Sequence, residues 1–143
     1  MAIFSAKKFL GLACLLAALL ACSCGKTEAR RPVFPVQGKV LFDGKPLANA
    51  FLVFHPLDDQ AAPRPVAYAE GDGSFVPTTY DSADGAPVGS YAVTVEWRRP
   101  PSNEETLPSE NLLPARYAKA ATTPLKIQIR EGENNLETFQ VKR

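Results

Sequence analysis

The chain carries a single histidine, His55, at the end of the apolar run GKPLANAFLVFHP (residues 44–56). Asp58 and Asp59 follow within a few residues, so the spacing admits a His–Asp pair in which a carboxylate orients the imidazole for proton transfer. Zinc needs three or four ligands, and no second histidine exists to supply one. His55 therefore lacks companions for catalysis. By strand parity it falls with Phe51 and Val53, opposite Leu52 and Phe54, where Pro56 stops the strand. The expectation is a structural or surface histidine, no catalytic residue and a protein that is not an enzyme.

The acidic turns EGDGS (70–74) and DSAD (81–84) gather several oxygens on neighbouring loops. Calcium takes six to eight oxygen ligands, which makes Asp72, Asp81 and Asp84 weak calcium candidates. Ordinary Asp-Gly turn chemistry accounts for the same residues without a metal, so none is expected. The loops around Gly71 and Asp84 also offer a place for a carbohydrate or small ligand.

The N-terminus sets the compartment. Lys7 and Lys8 precede the apolar run FLGLACLLAALLA (9–21), the pattern of a secretory signal helix, shorter than the roughly 20 residues of a permanent membrane span. LLAC (19–22) resembles the lipobox of bacterial lipoproteins, which implies a signal peptide over 1–21 and a covalent lipid on Cys22 as the sole added group. Of the three cysteines, Cys14 would leave with the signal and Cys22 be acylated. Cys24 alone would remain, so no intrachain disulfide could form. Ser23 after the cysteine points to the outer membrane, on its periplasmic or external face.

Removing Lys7 and Lys8 from 16 basic residues leaves fourteen against 15 acidic ones, a net charge of about −1 with the signs interspersed. Nothing clusters as a nucleic-acid footprint does. Residues 22–33 read as a flexible tether, and residues 34–143 as one domain.

Within that domain short β-type runs alternate with Gly, Pro, Asn and Asp clusters, and no helical periodicity persists, which argues for an all-β sandwich of seven strands. Val36, Val40 and Phe42 share one face of the first, and Ala50, Leu52 and Phe54 one face of the second. The third and fourth runs (65–70 and 74–80) flank GDG, a hairpin pattern, although Pro77 implies an edge or bulge. SYAVTVEWR points Tyr91, Val93, Val95 and Trp97 inward. PLKIQIRE does the same with Leu125, Ile127 and Ile129. In the last run Leu136 is out of parity with Phe139 and Val141, which predicts a bulge. The intervening segment 99–123 is long for a compact domain; Leu112, Leu113 and Tyr117 are positioned to clip it back. Phe51, Val53 and Tyr117 are the candidates for an apolar partner surface, with the long segment folding over it as the simpler account.

The motifs VQGKVLFDGKPLANAFLVFHP, GDGSFVP, DGAPVGSYAVTV and LLPARYAKAATTPLKIQI resemble the carboxypeptidase regulatory-like, transthyretin-type domains, most closely those of small planctomycete-type lipoproteins. The resemblance runs from Phe34 onward and implies a seven-stranded Greek-key sandwich of prealbumin type. It implies no biochemical role. The functional expectation is a lipid-anchored, non-enzymatic envelope module that meets the membrane through its anchor and an unidentified envelope protein through its surface, the alternative being glycan or small-ligand binding.

Overall fold

The computed structural model describes residues 29–98 and 110–143. The expectations for the signal segment, for Cys14, Cys22 and Cys24, and for residues 99–109 lie outside the described residues. The chain divides into two compact units, of which Arg31–Arg143 carries the β-structure described below.

Strands β1 (Val33–Phe34), β2 (Val36–Phe42), β3 (Lys45–Pro46), β4 (Phe51–Pro56), β5 (Val66–Tyr68), β6 (Ser74–Phe75), β7 (Ala86–Pro87), β8 (Gly89–Glu96), β9 (Lys126–Ile129), β10 (Asn134–Asn135) and β11 (Phe139–Val141) follow in chain order, with a 3₁₀ helix, Ala115–Ala118, before β9. One sheet runs β5-β4-β8-β9. The other is built around β2, which pairs in parallel with β10 and β11 and antiparallel with β3 and β6. A small ribbon joins β1 to β7. The all-β reading holds, and the two main sheets pack face to face.

Alternation explains the packing. Leu52 and Phe54 are fully buried while Phe51, Val53 and His55 are only half-buried, because successive side chains leave a strand on opposite faces. Tyr91, Val93 and Val95 of β8 and Ile129 of β9 join them, and Val36, Val40, Phe75, Phe139 and Val141 answer from the other sheet. Phe54 sits at the centre, edge-on to Phe75 (centroids 6.2 Å apart) and to Tyr91 (6.3 Å). Each such side chain contributes roughly 1.5–3 kcal/mol by leaving water.

Two turns depend on glycine. Asp43 and Gly44, at φ 47° and 81°, form the two-residue turn between β2 and β3, where a positive φ is required at both positions. At Gly73 (φ 82°) an added Cβ would lie 2.4 Å from the Val40 carbonyl oxygen. The bulge predicted near Leu136 is present: the register against β2 slips by one residue between Asn135↔Gln37 and Phe139↔Val40.

The GDG turn differs from expectation. It is tight, with Glu70 N–H donating to Ser74 O at 2.8 Å, yet β5 pairs with β4 in one sheet while β6 pairs with β2 in the other. The chain therefore crosses between sheets here instead of closing a hairpin. Beyond the turn itself, the two runs meet in an isolated bridge between Val66 and Thr78. Pro77, buried and without an N–H, keeps the fourth run from extending as a ladder.

The second half of the long segment clips back as expected. Leu112 N–H donates to Trp97 O at 2.9 Å, the Tyr117 hydroxyl accepts from Lys142 N–H at 3.1 Å, and Thr123 Oγ1 donates to Val93 O at 2.7 Å. The indole N–H of Trp97 donates to Ala48 O at 3.1 Å. Among the described residues, no buried side-chain nitrogen or oxygen lacks a hydrogen-bond partner.

Candidate functional site

His55 lies on the outer face of the four-stranded sheet, opposite Ala92 of β8. Its Nε2 is 3.0 Å from Thr94 Oγ1, and this contact helps bury Thr94, which parity alone would turn to solvent. Partial burial, helped by the nearby Arg64 charge, lowers the imidazole pKa from its ordinary value. Asp58 is engaged elsewhere, its Oδ2 accepting from Ser90 N–H at 2.8 Å. Asp59 accepts from the Arg31 guanidinium and from Ala61 N–H, so the Arg31 partner holds its carboxyl below the usual range. Each member of the possible His–Asp pair is thus held by a different partner. Arg31 also donates its backbone N–H to Tyr80 Oη at 3.0 Å, and Val33 pairs with Pro87.

The acidic turns are organised by their own backbone. Asp72 Oδ1 accepts from Ser74 N–H at 2.9 Å and Ser74 Oγ at 2.6 Å, bonds that lower its pKa. Asp84 Oδ1 accepts from Thr79 N–H at 2.6 Å, and its Oδ2 from Tyr80 and Asp81 N–H, each at 3.0 Å. Burial opposes ionisation of Asp84, but the amide bonds outweigh it and the pKa is lowered. Asp81 lies in the same turn through its amide. Among the described residues, no group of three or more His, Cys, Asp or Glu side chains is arranged to hold a metal ion.

Of the surface candidates, Phe51 packs its ring on Tyr68, centroids 4.9 Å apart, and Val53 stands beside it between Val66 and Thr94. Tyr117 requires a correction. It is 3% exposed and belongs to the core, because the 3₁₀ helix lays it between β8 and the C-terminal strand. The Phe51 strip is accordingly covered in part by Tyr68, its neighbour on the edge strand.

A trough lies against β2, next to both acidic turns. Its larger part, about 630 Å³, is lined by Gln37 and Lys39 of β2, Ser74 and Val76, the exposed Tyr68, and Ser82. A smaller hollow of about 260 Å³ shares Gln37, Val76, Ala83 and Asn135 with it and continues to Glu133. Gln37 and Asn135 face each other across the parallel ladder, and the Gln37 amide donates to Asn135 Oδ1. Sequence reasoning placed a ligand at the loops flanking this trough, around Gly71 and Asp84, and missed its floor. The outward parity of Gln37 was legible, but Asn135 reaches it only through a pairing of chain ends.

No family model matches the chain, and no curated protein does. Among solved structures, a 9R-lipoxygenase from Cyanothece aligns at 18% identity and a TM-score of 0.40, covering 77% of this chain and 16% of the lipoxygenase. The chain thus spans under a fifth of that protein's length.

Proposed function

We propose that this chain is a lipid-anchored, non-enzymatic β-sandwich module of a bacterial envelope, attached through Cys22 and acting by protein interaction through the sheet face that carries Phe51 and Val53. In this reading the sandwich is the seven-stranded Greek-key, transthyretin-type domain. β2, β4, β5, β6, β8, β9 and the bulged β10–β11 pair stand for its seven strands, and β1, β3 and β7 are short additions at the edges. The observation that supports it is the employment of the chemistry-bearing side chains: His55 serves Thr94, Asp58 serves Ser90, Asp59 serves Arg31 and Asp84 serves three backbone amides. Groups committed to holding the fold suit a binding module better than a reaction centre.

The test is made in the native outer membrane. Cys22→Ser should abolish palmitate labelling and release the protein, and Phe51→Glu should remove a discrete crosslinked partner band while Trp97 emission stays that of the folded protein. Unlabelled but still membrane-bound protein would overturn the anchor. Crosslinks unaffected by Phe51→Glu would overturn the surface.

A further inference from the structure

We infer that the trough over β2 is a binding site for a neutral oligosaccharide. Three properties lead there. The two hollows, about 630 and 260 Å³, share four lining residues and so adjoin, and they are of a size with known ligand sites. Its uncharged polar lining consists of carboxamides and hydroxyls, chiefly Gln37, Asn135, Ser74 and Ser82. These groups both donate and accept hydrogen bonds, as sugar hydroxyls do. Beside them stand apolar surfaces suited to the C–H faces of a pyranose ring. Tyr68 is 67% exposed and braced by Phe51 behind it, and Val76 is 44% exposed.

Charge separates this ligand from its rivals. The charged residues lining the trough are Lys39, Glu70 and Glu133, and Lys39 is paired with Asp72 at 3.6 Å. A polyanion would meet no unpaired cation here, and the two glutamates would repel it. An extended peptide would need a strand edge to pair with. The edges at hand, β5, β6 and β10, are only three, two and two residues long, and Pro77, soon after β6, has no N–H to offer.

The full-length protein in detergent is titrated calorimetrically with cellotetraose, maltotetraose, xylotetraose and chitotetraose, alongside tetragalacturonate and a capped Thr-Val-Thr-Val peptide. Saturable binding of at least one neutral tetrasaccharide is expected. Tyr68→Ala and Gln37→Ala should each weaken it by about fivefold or more, and Val88→Ala, exposed outside the trough, should leave it unchanged. Trp97 emission reports that each variant is folded. No saturable binding of any neutral tetrasaccharide, a preference for tetragalacturonate or the peptide, or insensitivity to either trough substitution would overturn the proposal.

Discussion

Gly38 lies in the middle of β2 with no positive φ to demand a glycine, and its role is to leave room. A Cβ added there would stand 2.4 Å from Cζ of Phe75, with Cε2 at 3.0 Å and Cε1 at 3.1 Å. Cζ is the far end of a side chain, so relief depends on whether the ring can retreat. Phe75 is 1% exposed, with Phe139 at 5.5 Å and Phe54 at 6.2 Å between ring centroids; any retreat displaces the core's central aromatic. Overpacking of this kind costs about 1–3 kcal/mol. Replacing a strand glycine by alanine returns about 0.5–1 kcal/mol through lost chain entropy in the unfolded state. With the ring boxed in on two sides the cost falls in the upper part of that range, so Gly38→Ala should destabilise by a net ~1–2.5 kcal/mol, measured as a lower urea midpoint at constant slope by the emission of Trp97, the sole tryptophan. Phe75→Leu removes the ring's far end. The Gly38→Ala/Phe75→Leu pair should then be less destabilised than the sum of the single variants, by a coupling of at least about 0.5 kcal/mol. A Gly38→Ala variant as stable as the parent, or strictly additive with Phe75→Leu, would refute the steric reasoning.

Two further outcomes follow from the hydrogen bonds. Tyr91 donates its buried hydroxyl to Pro87 O at 2.9 Å, and burial pushes its pKa up to about 12; this stability is present below the unfolded tyrosine pKa and is lost as pH rises through the folded one. Tyr91→Phe should cost about 0.5–1.5 kcal/mol at neutral pH, and spectrophotometric titration should lose its most alkaline tyrosine step. Asp84, with its pKa lowered, contributes above the unfolded aspartate pKa and loses that contribution as pH falls through the folded one. Asp84→Ala should lower stability by about 1 kcal/mol at pH 7, a figure already discounted for solvent screening, and the gap to wild type in urea midpoint should close in acid.

The alternation in residues 51–55 and 91–97 was sufficient to assign faces, because side-chain direction along a strand is a local property with a period of two. The positive φ at Asp43 and Gly44 is likewise a local matter, since Asp-Gly favours such a two-residue turn. The bulge near Leu136 showed as a change of parity. The course of the chain after GDG did not show. A tight turn looks the same in sequence whether its flanks pair with each other or part to different sheets, and the choice rests on what β2 and β4 offer as partners. How deeply Tyr117 would be buried was likewise not legible, because nothing local records that Lys142 N–H and β8 wait to receive it.

For the candidate site the division is sharper. The sequence by itself determined that His55 has no second imidazole and that the 70–74 and 81–84 turns would be rich in oxygen, both matters of composition and spacing. Only the tertiary structure decided that the Asp72 and Asp84 carboxylates would be occupied by backbone amides, and that Gln37 and Asn135, 98 positions apart, would meet as the floor of one trough. Parallel pairing of the last strands with β2 joins the two ends of the domain. Such a contact is set by the burial of both sheets together and leaves no mark on either stretch alone.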